Sequence, residues 1–222
     1  MHHYQWGGED LWLLAEKGLY MPEHKTLVVS DLHFTKTGHF RKNGVPVPQQ
    51  VFVEDLQRLF ALIQKNKIEH LIVVGDFFHS DANKELNLFS RWRNDFSQLA
   101  ISLIRGNHDV LDDCWYRENK IEVYSEGTFC INHISFIHDY ALLQADARSG
   151  DMYYISGHIH PAVYIGGKNR QGMRLPCFHF SGNMAVLPAF SKFSGHAIIK
   201  QGRKDAVFAI VNNKVMKLEA GS

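Results

Sequence analysis

Apolar residues gather in short runs along this chain, and the segments between the runs change character near residue 120. Residues 26–30, 71–75 and 101–105 are runs of strand length. In Leu71-Ile72-Val73-Val74 three of the four side chains are β-branched, so the run reads as a strand buried on both faces. Ahead of it, Leu56, Leu59, Phe60 and Ile63 fall at i, i+3, i+4 and i+7, which predicts an amphipathic helix over residues 48–65. A second helix is predicted over residues 82–99, with Leu86, Phe89, Trp92, Phe96 and Leu99 facing inward. Strand–helix–strand units of this kind predict parallel strands joined by right-handed crossovers.

Beyond residue 120 there is little room for helices. Residues 121–124, 128–131, 134–137 and 152–156 read as strands, with a short helical piece at 141–147. Residues 173–180, 197–200, 206–211 and 214–218 read as hairpin strands, with turns at Gly166-Gly167, Ser194-Gly195 and Asn212-Asn213. At the other end, residues 11–14 and 19–21 are short strands. The polar, glycine-containing residues 1–10 are expected to form a flexible terminus. The fold class is α/β, with a βαβ first half and a mainly antiparallel second half.

Composition narrows this picture only in places. At 222 residues and 45% hydrophobic the chain can bury one substantial core, so a single domain over residues 1–222 is expected. A net charge of +1 gives no global basic field, so any nucleic-acid contact has to be a local patch. Cys114, Cys130 and Cys177 are odd in number and lack a CxxC pair, which reads as reduced thiols of a cytoplasmic protein. No run is long enough to span a bilayer and no signal-peptide core is present, so no membrane association is expected. The 14 histidines matter most, because several stand beside Asp, Asn or Gly where apolar runs end.

The ends of five predicted strands carry metal-competent residues: Asp31 with His33, Asp76, Asn107, His138, and His158 with His160. At the tip of a buried strand the Asp76 carboxylate is costly unless a cation or hydrogen-bond donors hold it. Ligands of open α/β sheets bind beyond the carboxyl ends of the strands, so the five ends can converge in one cleft. In Asp-x-His and His-x-His, side chains two apart can point the same way from an extended strand end. Carboxylate, imidazole and amide oxygen suit Mn²⁺, Fe²⁺ or Zn²⁺ better than a thiolate-type zinc site would. Two such ions, about 3.5–4 Å apart, can share a bridging carboxylate and clamp a phosphate, with Asp76 as the expected bridge. Singly each fragment is ordinary, since a DxH pair or a Gly-Asn-His-Asp turn is common on surfaces. In order at five strand ends they predict a two-metal site. His138 is preferred to His133 because it ends the apolar run that His133 precedes.

Other residues keep two readings. Lys36, Arg41 and Lys42 follow the first motif, and Lys168, Arg170 and Arg174 follow the last. They suit phosphate-backbone contacts and equally suit a solvated rim. Trp115 and Tyr116 fit a base-stacking surface or a hydrophobic plug. His39, His70, His179 and His196 read as structural or surface residues.

The order Asp-x-His, Gly-Asp-x-x-His, Gly-Asn-His-Asp, His, Gly-His-x-His over residues 26–160 resembles the calcineurin-like metallophosphoesterase family. The resemblance implies an α+β sandwich of two packed mixed β-sheets flanked by helices, built round a dinuclear centre. By it, Asp31, His33 and His160 hold one metal, Asp76 bridges, and Asn107, His138 and His158 hold the other. His108 matches the family's non-ligand histidine, which contacts the phosphate and protonates the leaving oxygen. Asp109 would orient His108, and His79 would support the ligands from behind.

Within that family, three loop segments are similar to the ligase-associated DNA damage response endonucleases: Asp31-Leu32-His33-Phe34-Thr35-Lys36, Phe40-Arg41 and Gly44-Val45-Pro46-Val47-Pro48-Gln49. So are the tail segments Arg174-Leu175-Pro176-Cys177-Phe178, Leu187-Pro188-Ala189-Phe190 and Phe193-Ser194-Gly195. Thr35 stands where that group usually has glycine, a departure that bears on the shape of its loop. The likeness implies a Mn²⁺-dependent phosphodiesterase or endonuclease that cleaves DNA by attack of a metal-bound hydroxide on phosphorus. It would work beside an ATP-dependent DNA ligase, a helicase and an exonuclease in repair. Lys36, Arg41 and Arg174 are then the expected phosphate contacts. Two rivals are a phosphodiesterase or pyrophosphatase of a nucleotide-type small molecule, and a non-catalytic protein-binding scaffold of the same fold. Near-neutral charge leans toward the first rival, and the full set of ligand positions speaks against the second.

Overall fold

Alternation within the apolar runs sets the architecture. In a computed structural model, which describes residues 1–36, 50–78, 84–143, 150–166 and 172–219, successive side chains of the central strands leave on opposite faces. Leu27, Val29, Leu71, Val73, Ile101 and Leu103 face one core, and Val28, Ile72, Val74 and Ile104 face another. That is why these runs carry no polar face.

The first sheet has the order β1 (His2–Trp6), β2 (Glu9–Leu13), β3 (Leu19–Met21), β4 (Thr26–Ser30), β5 (His70–Val74), β6 (Ala100–Ile104), β7 (Glu122–Tyr124). Strands β4 to β7 run parallel, and β1 to β4 pair antiparallel. The connections hold α1 (Gln50–Asn66), α2 (Lys84–Asp95) and α3 (Asp113–Glu118). Phe52, Leu59, Leu62 and Ile63 of α1 and Phe89 and Trp92 of α2 cover the outer face.

The second sheet contains β8 (Cys130–Ile131), β9 (Ile134–Phe136), β10 (Tyr153–Ser156), β11 (Pro161–Gly166), β12 (Gly172–Ser181), β13 (Met184–Val186) and β14 (Ala197–Ile198), with β15 (Ala206–Val211) and β16 (Lys214–Leu218). Its order is β14-β11-β12-β13-β10-β9-β8, with β15 on β12 and β16 on β15. Ile134, Phe136, Ile155, Phe178, Phe180 and Phe208 from this sheet close the core against Val28, Ile72, Val74 and Ile104. Each such buried side chain contributes about 1.5–3 kcal/mol relative to exposure.

Several expectations need correction. Residues 1–10 are not a flexible terminus: β1 and β2 form a hairpin closed at Gly7-Gly8, with Trp6 paired to Glu9. Trp6 and Tyr4 pack edge-on against Phe180, which explains why a polar-looking segment is ordered. The second sheet is mixed and mainly antiparallel, as expected, with β10 lying parallel to both β9 and β13 and β14 parallel to β11. Helix α1 buries Leu62 and leaves Phe60 37% exposed, against the expected face. Helix α2 stops at Asp95, short of the expected residue 99, and the Arg93 guanidinium donates to the carbonyls of Phe96, Leu99 and Asn119 beyond it. Ser194-Gly195 is not a hairpin turn, since β13 and β14 do not pair. Among the described residues no helix is long and apolar enough to cross a membrane.

Candidate metal centre

The parallel strands of both sheets end along one edge, and the chain leaves each end abruptly. Asp31 (φ 51°), His33 (φ 47°), Asp76 (φ 51°), His158 (φ 68°) and His160 (φ 50°) all have left-handed backbone. Asp and His tolerate this conformation better than most residues, yet each such position costs about 1–3 kcal/mol and clusters of them mark functional sites. The Asp-x-His and His-x-His pairs therefore share a direction through left-handed turns, not through the pleat of an extended strand. Adjacent strand-end loops brace one another: the N–H groups of Asp31, His33 and Phe34 donate to the carbonyls of Gly75, Asp76 and Phe77 at 2.9–3.1 Å.

Three glycines leave room for candidate ligands, and at Gly106 a Cβ would lie 2.4 Å from Asp76 Oδ1. A Cβ on Gly75, itself at φ 73°, would lie 2.0 Å from His138 Nδ1. A Cβ on Gly157 would lie 2.6 Å from Asp31 Oδ2.

Donor atoms of Asp31, His33 and His160 all lie within 4.8 Å of one another, as do those of Asp31, Asp76 and His138. In the first group, His160 Nδ1 faces the Gly195 carbonyl at 3.1 Å. With the ring N–H spent there, His160 Nε2 presents a lone pair 3.1 Å from Asp31 Oδ1. That oxygen is buried and takes no well-angled hydrogen bond.

The second group repeats the logic. His138 Nδ1 faces the Val74 carbonyl at 3.2 Å, so Nε2 is the free lone pair. It meets His158 Nδ1 and Asn107 Oδ1, each at 3.2 Å, and Asp76 Oδ1 at 3.5 Å. Asp76 reaches both groups, with Oδ2 lying 3.9 Å from His33 Nε2. Carboxylate oxygens, an amide oxygen and imidazole nitrogens brought this close together inside a protein suit a cation between them. The residues present fit two divalent ions, one on each side of Asp76.

The remaining site residues separate. His108 lies beside the first group, its ring centroid 5.6 Å from that of His33, and its backbone N–H donates to Asp76 Oδ1 at 2.9 Å. Asp109 does not orient the His108 ring. Its carboxylate accepts from the N–H groups of Phe77, Phe78 and Gly106 at 2.9–3.1 Å, which ties two strand-end loops together. Burial pushes its carboxyl up to about 7. Lys36 is half-buried and feels the charges of Asp76 and Asp31. Arg174 is exposed on β12. His79, His39, Arg41, Lys42, Lys168 and Arg170 lie outside the described residues. Trp115 and Tyr116 form a plug: Tyr116 is fully buried and both rings pack on Phe78. His133 is exposed in the turn between β8 and β9.

Two contributors went unnoticed in the sequence. Asp139 Oδ2 lies 3.9 Å from His158 Nε2 and was legible as a carboxylate beside a strand-end histidine. The Gly195 carbonyl left no signal, because every residue has one. Asn107, His138, Asp139 and His158 line an open cleft of about 420 Å³. It adjoins, across Asp139, an apolar cavity of about 400 Å³ walled by Ile159, Met184, Val186 and Ile199.

Two packed mixed sheets with a cluster of metal-competent Asp, His and Asn side chains at their strand ends define a metal-dependent phosphoesterase. The chain belongs to the calcineurin-like phosphoesterase family, whose model matches residues 24–171. The crystal structure of the Pseudomonas putida nuclease MPE is similar, with 27% identity, a TM-score of 0.78, and coverage of 98% of this chain and 99% of that one. The E. coli phosphoesterase Yfce is more distant, at 12% identity and a TM-score of 0.45 over 88% of this chain and 99% of its own. A search of curated proteins returns no match.

Proposed function

We propose that this chain is a dinuclear-metal phosphodiesterase that cleaves DNA. The observation that carries the phosphodiester chemistry is the pair of metal-competent groups on either side of Asp76. DNA as the substrate is supported by the near full-length likeness to a nuclease. A flanking nucleoside would also have space, because the cleft over Asn107 and His158 continues into the apolar cavity.

In this reading Asp31, His33 and His160 would hold one ion and Asn107, His138 and His158 the other, with Asp76 shared between them. The donor set suits Mn²⁺, Fe²⁺ or Zn²⁺, and the loop and tail likeness favours Mn²⁺ among them. When bound, the ions polarise the phosphate and lower the pKa of a water. His108 hydrogen-bonds the phosphate and gives its ring proton to the leaving oxygen. Asp109 fixes the loop that carries Asn107 and His108. Lys36 and Arg174 take flanking phosphates, joined by Arg41 and with His79 supporting the ligands. A repair setting with an ATP-dependent DNA ligase, a helicase and an exonuclease follows from the loop and tail likeness.

A second reading, hydrolysis of a nucleotide-type diester or pyrophosphate, is favoured by the net charge of +1. Nicking of supercoiled plasmid, run beside hydrolysis of bis(p-nitrophenyl) phosphate in Mn²⁺, Mg²⁺, Zn²⁺ and chelator, separates the two. The DNA reading expects metal-dependent nicking. Diester hydrolysis with plasmid left intact at high enzyme would overturn it in favour of the small substrate.

A further inference from the structure

The tail segment between β13 and β14 crosses the strand ends like a strap and touches the metal centre at successive points. Leu187 N–H donates to the Ser156 carbonyl, Phe190 N–H to that of Ser30, and Ser191 N–H to that of Asp31, at 2.8–3.2 Å. Ala197 N–H then reaches the His160 carbonyl at 3.1 Å. Between these points, the Gly195 carbonyl accepts from His160 Nδ1. One segment thus sets the backbone of Asp31 and the ring orientation of His160.

The strap is held from behind by three side chains that no part of the proposed chemistry uses. Asp55 of α1 is buried; its Oδ2 accepts from Lys192 N–H at 3.0 Å, and its Oδ1 pairs with Arg58 Nη2 at 3.0 Å. Arg58 donates to the Phe190 carbonyl, and its guanidinium lies 4.1 Å over the Phe190 ring. Lys17 Nζ donates to the Ser191 carbonyl at 3.1 Å. Three consecutive strap residues, Phe190 to Lys192, therefore each spend a backbone group on a charged side chain. Phe190 and Ser191 are themselves buried, so these backbone groups have no water to fall back on.

We infer that Asp55, Arg58 and Lys17 are positioning residues for the Asp31/His33/His160 ion, acting through the strap and the Gly195 carbonyl. This rests on the proposed metal reading. A histidine ligand needs its second nitrogen fixed to present the first in the right tautomer, and loss of such a partner costs metal affinity about 10–100-fold. Here the partner is a backbone carbonyl, so the clamp that places the strap takes the role usually given to a second side chain. A weakened clamp would loosen His160 and the Asp31 backbone directly, and would reach the Asn107/His138/His158 group only through Asp31, whose Oδ2 accepts from the His158 N–H at 3.1 Å.

The test is calorimetric titration of chelator-stripped protein with Mn²⁺, for wild type, Asp55→Asn and Lys17→Met, with melting temperature measured in parallel. The expected result is that one of two binding steps weakens about 10–100-fold while the other weakens much less. Diester hydrolysis in the variants would recover as Mn²⁺ is raised. Two wild-type binding steps beside a lowered melting temperature would mean that the clamp is only structural, and would overturn the inference. If Asp55→Asn does not fold, Lys17→Met, which removes a single hydrogen bond, decides by the same readout. Failure of the metal reading itself is distinct: the wild-type protein would then bind no Mn²⁺ at all.

Discussion

His160 Nε2 and Asp31 Oδ1 face each other at 3.1 Å with no proton assigned between them, because the other nitrogen of His160 is committed to the Gly195 carbonyl. A neutral imidazole and a carboxylate in that arrangement repel unless a cation joins them. Chelator is therefore expected to destabilise the protein. Against protein held at a hundredfold excess of Mn²⁺ over its Kd, the loss is about 2.7 kcal/mol for each site emptied. Thermal melts with and without EDTA check this, and an unchanged melting temperature would remove the case for structural metal binding.

Asp76 divides its oxygens between the two groups, with Oδ1 near His138 and Oδ2 toward His33. Asp76→Asn keeps the shape and removes the charge. It is expected to lower both the Mn²⁺ stoichiometry and diester turnover, the latter by at least about 10–100-fold. Wild-type turnover in this variant would sink the two-metal mechanism.

Gly157 gives a local steric test. Ala at this position puts a methyl group 2.6 Å from Asp31 Oδ2, so Gly157→Ala is expected to cost about 1–3 kcal/mol and to weaken metal binding. The control is Gly195→Ala, where the added Cβ meets nothing within 4 Å and the carbonyl is kept. Its stability is expected to stay within about 0.5 kcal/mol of wild type in urea unfolding.

His108 and Asp109 are neighbours with different duties. His108→Ala is expected to leave metal content and stability intact while turnover drops about 10²–10⁴-fold. Asp109→Asn places an amide where three N–H groups point, and is expected to cost about 1–3 kcal/mol of stability. Metal loss in His108→Ala, read by elemental analysis, would mean the histidine is a ligand instead.

Lys17 gives a pH signature. Burial, with Arg58 nearby, lowers its ammonium pKa to about 8 from the usual 10.5. The unfolded chain therefore binds more protons between those values, so stability rises as pH climbs from about 8 to 10.5. Below pH 8 the full cost of keeping this lysine charged is present, at most about 3 kcal/mol. Wild type is thus expected to gain stability relative to Lys17→Met between pH 7.5 and 10. The same stability difference between the two proteins at pH 7.5 and pH 10, read from denaturant unfolding, would contradict it.

Much of the site was open to sequence reading, for a chemical reason. Apolar β-branched runs leave few options besides buried strands, and Asp, Asn and His at their ends are costly unless used. Thr35 is an instructive departure: it keeps the left-handed shape that glycine would favour, with φ 75°, while fully buried. The loop shape therefore survives the substitution at a cost in backbone strain. The β1 hairpin was lost to sequence reading because its ordering comes from Trp6 and Tyr4 docking on Phe180, nearly 180 residues away in sequence. The true inward face of α1 was lost for a similar reason, since Asp55 faces inward only because Lys192 and Arg58 meet it there.

By itself the sequence determined which residues could be ligands, their order, and the strands that deliver them. Those follow from side-chain chemistry and local periodicity. The tertiary structure alone decided which nitrogen of His138 and His160 faces the cleft, because the Val74 and Gly195 carbonyls that choose it are backbone groups from distant segments. It also gave Asp109 to three loop N–H groups rather than to His108, since those donors come together only when β5 and β6 lie side by side. Carbonyls and N–H groups are the same at every position, so their roles arise only from where the chain folds back on itself.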